Sequence, residues 1–289
     1  MTSEWAIIEP DWPAPKGVRS AFTLRTGGVS VPPYHSLNVG AHVGDVASSV
    51  EENRRRVRER LGLPAEPMWL QQVHGVEVAD LDVIAEPLAP VGHRSAGAQA
   101  ALPLARRGAG AESVRLSSGA EGTLPLASGF ASADAAVTRA PGRVCVIQVA
   151  DCMPVLFAAR DGSAVGAAHA GWRGLAGGVL EETVRCLRVP APQLIAWLGP
   201  TIGQDHFEVG DEVRAAFMAH DPDAVSAFES NARGRWQCDL YSLARRRLVA
   251  LGIRDVLGGG WCTYADAARF FSYRRDGQCG RMAALIWTE

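Results

Sequence analysis

Four short apolar runs, ADAAVT, RVCVIQVA, PVLFAAR and SAVGAAHA, follow one another between residues 133 and 170, parted only by Pro-Gly, Asp-Cys and Asp-Gly. Each is too short for a stable helix and is bounded by turn residues, so the segment reads as closely connected sheet strands. Such a sheet must be covered. The next stretch supplies the cover, because Ala176, Val179, Leu180, Val184 and Leu187 recur at the 3.6-residue period of one amphipathic helix.

The remaining elements alternate less regularly. Val18–Leu24 reads as a strand ending at RTGGVS, where Gly27 and Gly28 permit a tight turn or close approach to a ligand beside Arg25. Ser48 and Glu51 have capping-box spacing ahead of a helix that Gly62 closes, and its arginine run reads as a solvated face. QLIAWLGP reads as a buried strand, EVGDEVRAAFMAH as a helix, and LYSLARRRLVALG as a helix ending at Gly252. RFFSYRRDG and GRMAALIW read as a closing hairpin. Mixed order with antiparallel pairs predicts an α+β fold rather than a doubly wound parallel sheet.

Residues 86–131 are rich in Ala, Gly, Ser and Pro without sustained periodicity, which predicts a mobile insertion in one domain spanning residues 1–289. Lys and Arg number 29 against 31 Asp and Glu, so no basic excess is available for nucleic-acid phosphates. The N-terminus lacks the basic start and apolar stretch of a secretory signal, and no window is long and apolar enough to span a bilayer. A cytoplasmic location is expected. The six cysteines lack the dense pairing of a secreted disulfide scaffold and are expected to be reduced.

Chemistry concentrates at the edges of the apolar runs. His74 in WLQQVHG, Cys152 in VADCMPVLF and His169 in GAAHAGWRG are soft-metal ligands suited to Zn²⁺ or copper, and three protein ligands leave a fourth position open. Taken singly, each is also explained by packing, since no short C-x-x-C spacing occurs. After His169 a strand runs through Gly171 and Gly174 into a helix, and Arg173 there predicts an anion site next to the metal. The plainer reading is a tight turn with Trp172 on the core and Arg173 exposed. Asn38, Gln72 and Asp134 suit hydrogen bonding to a ligand, Asp151 and Glu208 are candidate acids, and Phe271, Tyr273 and Arg274 are candidate stacking groups.

RTGGVS, SLNVG, QQVHG, ADAAVT, VADCMPVLF, HAGWRG, LGPTIG with FEVGDEV, and WCTY followed by RFFSYRRDG and GRMAALIW occur in the order seen in the YfiH-like family. This family is also called the laccase-domain or multicopper polyphenol oxidase family, and the resemblance covers nearly the whole chain outside residues 86–131, a segment longer than is usual there. It implies a four-layer α/β/β/α sandwich with mixed sheets, similar to cytotoxic-necrotizing-factor catalytic domains. It also implies that His74, Cys152 and His169 are zinc ligands.

The oxidase name is tested by ligand supply. Four coppers need on the order of ten histidines, usually in close pairs. This chain has 7, none spaced as H-x-H, and His93 and His220 lie in expected surface segments. The resemblance implies instead phosphorolysis of adenosine, inosine and methylthioadenosine, with adenosine deamination as a second activity. Purine nucleoside and inorganic phosphate are then the partners of a chain expected to be monomeric. His74, Cys152, His169 and Arg173 would be catalytic, with Arg25, Asn38, Gln72, Asp134 and Asp151 binding substrate. Two other readings stay open. Cys152 with His74 or His169 suits a cysteine hydrolase editing a cell-wall precursor, and a closed site with Cys262 or Cys279 as fourth ligand suits a braced interaction module.

Overall fold

Strands buried on both faces account for the architecture. In the computed structural model, residues 5–84 and 132–289 are described, and the expected insertion at 86–131 lies outside the described residues. In chain order come β1 (Ile7–Ile8), β2 (Val18–Thr23), α1 (Ala47–Leu61), β3 (Val78–Asp80), β4 (Ala135–Thr138), β5 (Val144–Val149), β6 (Met153–Ala159) and β7 (Val165–Ala170). Then follow α2 (Trp172–Gly177), α3 (Val179–Leu187), β8 (Leu194–Leu198), β9 (Glu208–Val209), α4 (Asp211–Met218), β10 (Phe228–Ser230), β11 (Trp236–Cys238), α5 (Leu240–Ala250), β12 (Asp255–Gly258), α6 (Tyr273–Asp276) and β13 (Met282–Thr288).

The larger sheet has six strands in the order β12-β8-β6-β7-β4-β3. It is mixed, with parallel pairing at both edges and antiparallel pairing within. A second sheet, β1-β2-β13-β5, is antiparallel throughout, and β10-β11-β9 forms a small third one. Side-chain parity shows how the two main sheets stack. Leu156 and Ala158 of β6 share a core with Ile147 of β5 and with Ala284 and Ile286 of β13. Val155 and Phe157 face the other way, onto Leu175, Leu180 and Leu187 of α2 and α3 and Leu243 and Leu248 of α5. On the far side of the antiparallel sheet, Val144, Val146, Ala283 and Leu285 pack with Val57 of α1. The layers are therefore helix, sheet, sheet, helix, an α+β arrangement. Fully burying a side chain such as Phe157 contributes about 1.5–3 kcal/mol, so these three cores dominate stability.

Several local expectations change. The four runs do not form one sheet: β5 crosses to the antiparallel sheet, because side chains buried on both faces leave no polar alternation to mark the switch. The helix after His169 breaks at Gly178, whose φ of +102° divides α2 from α3. The Ser48–Glu51 capping box does not form, since α1 begins at Ala47 with Val46 as its N-cap and no side-chain cap, whereas Gly62 closes it in the left-handed conformation as expected. The arginine run is not wholly solvated, because Arg54 stacks over Trp69 and donates to the Val39 carbonyl. RFFSYRRDG is no strand: it contributes α6, while β13 inserts between β2 and β5 rather than closing a hairpin. Gly28 does allow a close approach, but to its own chain. A Cβ there would lie 2.2 Å from the Ser36 carbonyl oxygen and 2.4 Å from Asn53 Oδ1.

Candidate metal centre

Two strand ends and one loop bring the ligands together. His169 is the penultimate residue of β7 and is buried, Cys152 lies where the chain crosses from β5 to β6, and His74 sits in an exposed loop ahead of β3. Cys152 Sγ is 3.8 Å from His74 Nε2, the two imidazoles meet edge to face at 4.8 Å, and all three ligand atoms lie within 4.8 Å of one another. Tetrahedral Zn²⁺ with its usual bond lengths separates sulfur and nitrogen by about 3.6 Å, so the donor set and spacing fit that ion.

One carboxylate sets this geometry. Asp134, fully buried, accepts from His169 Nδ1 at 2.8 Å and from the backbone N–H groups of Val73, His74 and Gly75 at 3.2, 2.9 and 2.6 Å. It thereby directs His169 Nε2 toward the site and holds the loop in which His74 adopts a left-handed φ of +62°. That conformation is costly for a non-glycine residue and needs such a restraint. Glycine supplies the remaining space: a Cβ on Gly171 would lie 2.8 Å from Cys152 Sγ and 3.2 Å from His74 Cδ2.

The electrostatics favour the thiolate form of Cys152 and a proton shared among Cys152, His169 and Asp134 until a cation displaces it. Burial alone would raise the Cys152 thiol, but the His169 and His74 imidazoles outweigh it and bring the thiol down to about 6. Burial likewise opposes protonation of His169, yet Cys152 and Asp134 together raise it to about 9. For Asp134, burial is outweighed by His169 and the Gly75 and His74 N–H groups, which hold the carboxyl below its usual range. A thiolate beside a carboxylate-anchored imidazole is a soft, anionic donor set.

These ligands open onto a cavity of about 480 Å³ whose lining includes Gln72, Gln148, Asp151, Phe207, Arg274 and Arg281. Of the residues expected to bind substrate, Gln72 and Asp151 line it, while Asp134 stands behind the ligands. Asp151, at a φ of +89°, accepts from Thr263 Oγ1 and from the Arg274 backbone N–H, each at 2.6 Å. It therefore ties the metal loop to α6.

Arg173, Arg25 and Asn38 are not brought into the cavity lining. Arg173 is exposed, with its guanidinium 4.4 Å from the Trp172 ring centroid, as in the plainer reading of HAGWRG. Arg25 donates to the Ala267 and His35 carbonyls and stacks on the buried Phe271. Asn38 is fully buried and accepts from the backbone N–H groups of Gly40 and Arg281. Glu208 binds Asn231 and Arg233 away from the cavity.

The structure adds Arg281 and His42, which spacing did not single out. Arg281 and His42 line the cavity with Arg274, and Arg274 also lies over Phe207 at 5.3 Å. His42 is held below its usual value by burial, then by the neighbouring Arg281 and Arg54 charges. Among the described residues the metal-ligand group contains only His74, Cys152 and His169. Cys262 instead accepts from the Gly203 N–H and contacts His206, and Cys279 lies beside Arg281, so neither closes the set.

Residues 19–289 match the family described as multi-copper polyphenol oxidoreductase laccase. A purine nucleoside phosphorylase of Pseudomonas aeruginosa is 46% identical over 285 residues, covering 98% of this chain and 99% of that protein. The chain belongs to the laccase-domain, YfiH-like family. The purine nucleoside phosphorylase YfiH of Escherichia coli K12 is another relative, 46% identical over 281 residues and covering 97% and 98% of the two chains. Among solved structures, a Neisseria meningitidis protein superposes with a TM-score of 0.80 at 40% identity over 98% of this chain and 99% of its own. YlmD of Geobacillus stearothermophilus does so with 0.78 at 28% identity over 100% and 99%. The α+β fold and the resemblance read from the motifs are thus borne out.

Proposed function

We propose that this chain is a zinc-dependent purine nucleoside phosphorylase that converts adenosine, inosine or methylthioadenosine and inorganic phosphate to free base and the corresponding ribose 1-phosphate, which from methylthioadenosine keeps its 5-methylthio group. The observation that carries this reading is the His-Cys-His set at one wall of a cavity that also holds Arg274, Arg281 and His42. Relatives named purine nucleoside phosphorylase across nearly the whole length support it.

His74, Cys152 and His169 would hold the ion, which when bound supplies a Lewis acid with a fourth coordination position. Arg274 and Arg281 take the phosphate role expected of Arg173, offering planar donors to an anion in a partly enclosed site. Holding phosphate against the anomeric carbon lets a phosphate oxygen form the new bond as the bond to the purine nitrogen breaks. The arginines balance the charge on the nucleophile throughout. Asp151 serves as a bracket, since both carboxylate oxygens already accept hydrogen bonds.

A second reading rests on the Cys152 thiolate itself, 3.8 Å from His74, which suits a nucleophile in an amide hydrolase acting on a cell-wall precursor. Chromatography of the purified protein with adenosine, with and without phosphate, separates the possibilities. Adenine and ribose 1-phosphate that require phosphate and vanish with a chelator support the phosphorylase. Inosine formed without phosphate assigns a deaminase. Absence of both products, with a chelator-resistant amidase activity lost on thiol alkylation, selects the hydrolase.

A further inference from the structure

One aromatic ring in the cavity lining is left uncovered. Tyr273 lines the cavity and is 61% exposed, whereas every other described Phe, Tyr or Trp is buried or half-buried. Phe207, which also lines the cavity, is 7% exposed and lies under the Arg274 guanidinium. Phe271, two residues before Tyr273, is fully buried against Arg25. Of the two aromatic stacking candidates in RFFSYRRDG, Tyr273 therefore offers the open ring.

The ring is open, but its backbone is fixed. Tyr273 is the first residue of α6, where Ser272 Oγ accepts from the Arg275 N–H at 3.2 Å and the Tyr273 carbonyl accepts from the Gly277 N–H at 2.8 Å. The next N–H, that of Arg274, donates to Asp151 beside the ligand Cys152, so the ring is tied to the metal loop. The Arg281 guanidinium lies over the ring, 5.9 Å from its centroid. In phosphorolysis the bond that forms and the bond that breaks share the anomeric carbon, so phosphate and base must be held by neighbouring groups. Arg281 and Tyr273 are such neighbours. The polar lining offers the base less, because Gln72 spends its carboxamide on the Gln148 backbone and both Asp151 oxygens already accept hydrogen bonds.

We infer that the Tyr273 ring is the platform on which the purine base of the nucleoside stacks. Such a stack is tolerant of the substituent at C6, because every base presents a π-face. It therefore takes adenine and hypoxanthine alike, as one site for the three proposed nucleosides requires. The inference rests on the phosphorylase reading for its ligand class and deepens it by placing the base.

Calorimetric binding to the full-length, zinc-loaded protein tests it, with adenosine, inosine and ribose 1-phosphate as ligands, the last of which carries no base. Tyr273→Ala is expected to weaken both nucleosides at least about fivefold, the loss expected when a stacked base loses its aromatic partner, and to leave ribose 1-phosphate within about twofold. Tyr273→Phe keeps the ring and is expected to hold adenosine within about twofold of wild type. Neither variant should shift the melting temperature, because the side chain is exposed. Nucleoside affinity that survives Tyr273→Ala overturns the inference. So does a Tyr273→Ala protein that weakens ribose 1-phosphate as much as adenosine, which assigns the ring to holding Arg281. A Phe variant as weak as the Ala variant also overturns it, because the contact then belongs to the hydroxyl. Ring-dependent nucleoside binding without phosphorolysis leaves the inference standing and removes the phosphorylase reading. Wild-type protein that binds no nucleoside removes both.

Discussion

Asp134→Asn gives a sharp test of how the metal centre is organised. In the wild type one carboxylate oxygen accepts from His74 N–H and His169 Nδ1, and the other from Val73 and Gly75 N–H. An asparagine has only one acceptor oxygen, so its NH₂ must face one of those pairs of donors. If it faces Gly75 and Val73, two backbone N–H groups lose their partner and the His74 loop loses the restraint on its left-handed residue. If it faces His169, the imidazole must accept at Nδ1, which places the proton on Nε2 and removes the lone pair the metal needs.

Hydrogen bonds to a charged group contribute about 1.5–3 kcal/mol each, but the His74 loop is exposed and water replaces part of the loss. A net destabilisation of about 1–3 kcal/mol is expected, together with a tenfold to hundredfold weaker hold on Zn²⁺. Urea titration of the apo-protein measures the first, and competition with a chromophoric chelator measures the second. An Asn variant that binds Zn²⁺ within twofold of wild type would refute the claim that Asp134 orients the ligand set.

Further outcomes follow from the same geometry. Gly171→Ala places a methyl group 2.8 Å from Cys152 Sγ, so Zn²⁺ affinity should fall at least about tenfold; an unchanged affinity would show that the loop yields freely. Arg281→Gln should raise the KM for phosphate by about tenfold, whereas Arg173→Gln should leave it within twofold; the reverse ranking in steady-state kinetics would restore the anion site to HAGWRG. In metal-free protein, the rate of Cys152 alkylation should rise with pH to a plateau above about 6, because the thiolate is the reactive form; a midpoint near 8.5 or above would contradict the imidazole stabilisation.

Much of the metal centre was legible because each ligand stands where an apolar run stops. Periodicity locates such edges, and the QVHG, ADC and HAGWRG residues are local. Asp134 was legible as a polar residue at a strand start, though not as the anchor for two ligand segments. The arginine-lined wall of the cavity was not legible. Arg281 is 129 residues beyond Cys152 and is placed by β13, whose insertion between β2 and β5 leaves no local trace. That β5 belongs to a different sheet from β4 and β6 was not legible either, because a strand buried on both faces carries no polar stripe to tell which sheet owns it.

By itself, then, the amino-acid order determined the apolar strands from β4 to β8, the helix that Gly62 closes and the α+β class, since these depend on spacing over a few residues, and it singled out His74, Cys152 and His169 as candidate ligands. Only the tertiary structure decided that Arg173 faces solvent while Arg274 and Arg281 face the cavity. Those facts depend on which distant strands pair and which side chains meet across them, and pairing is settled by burial over the whole chain.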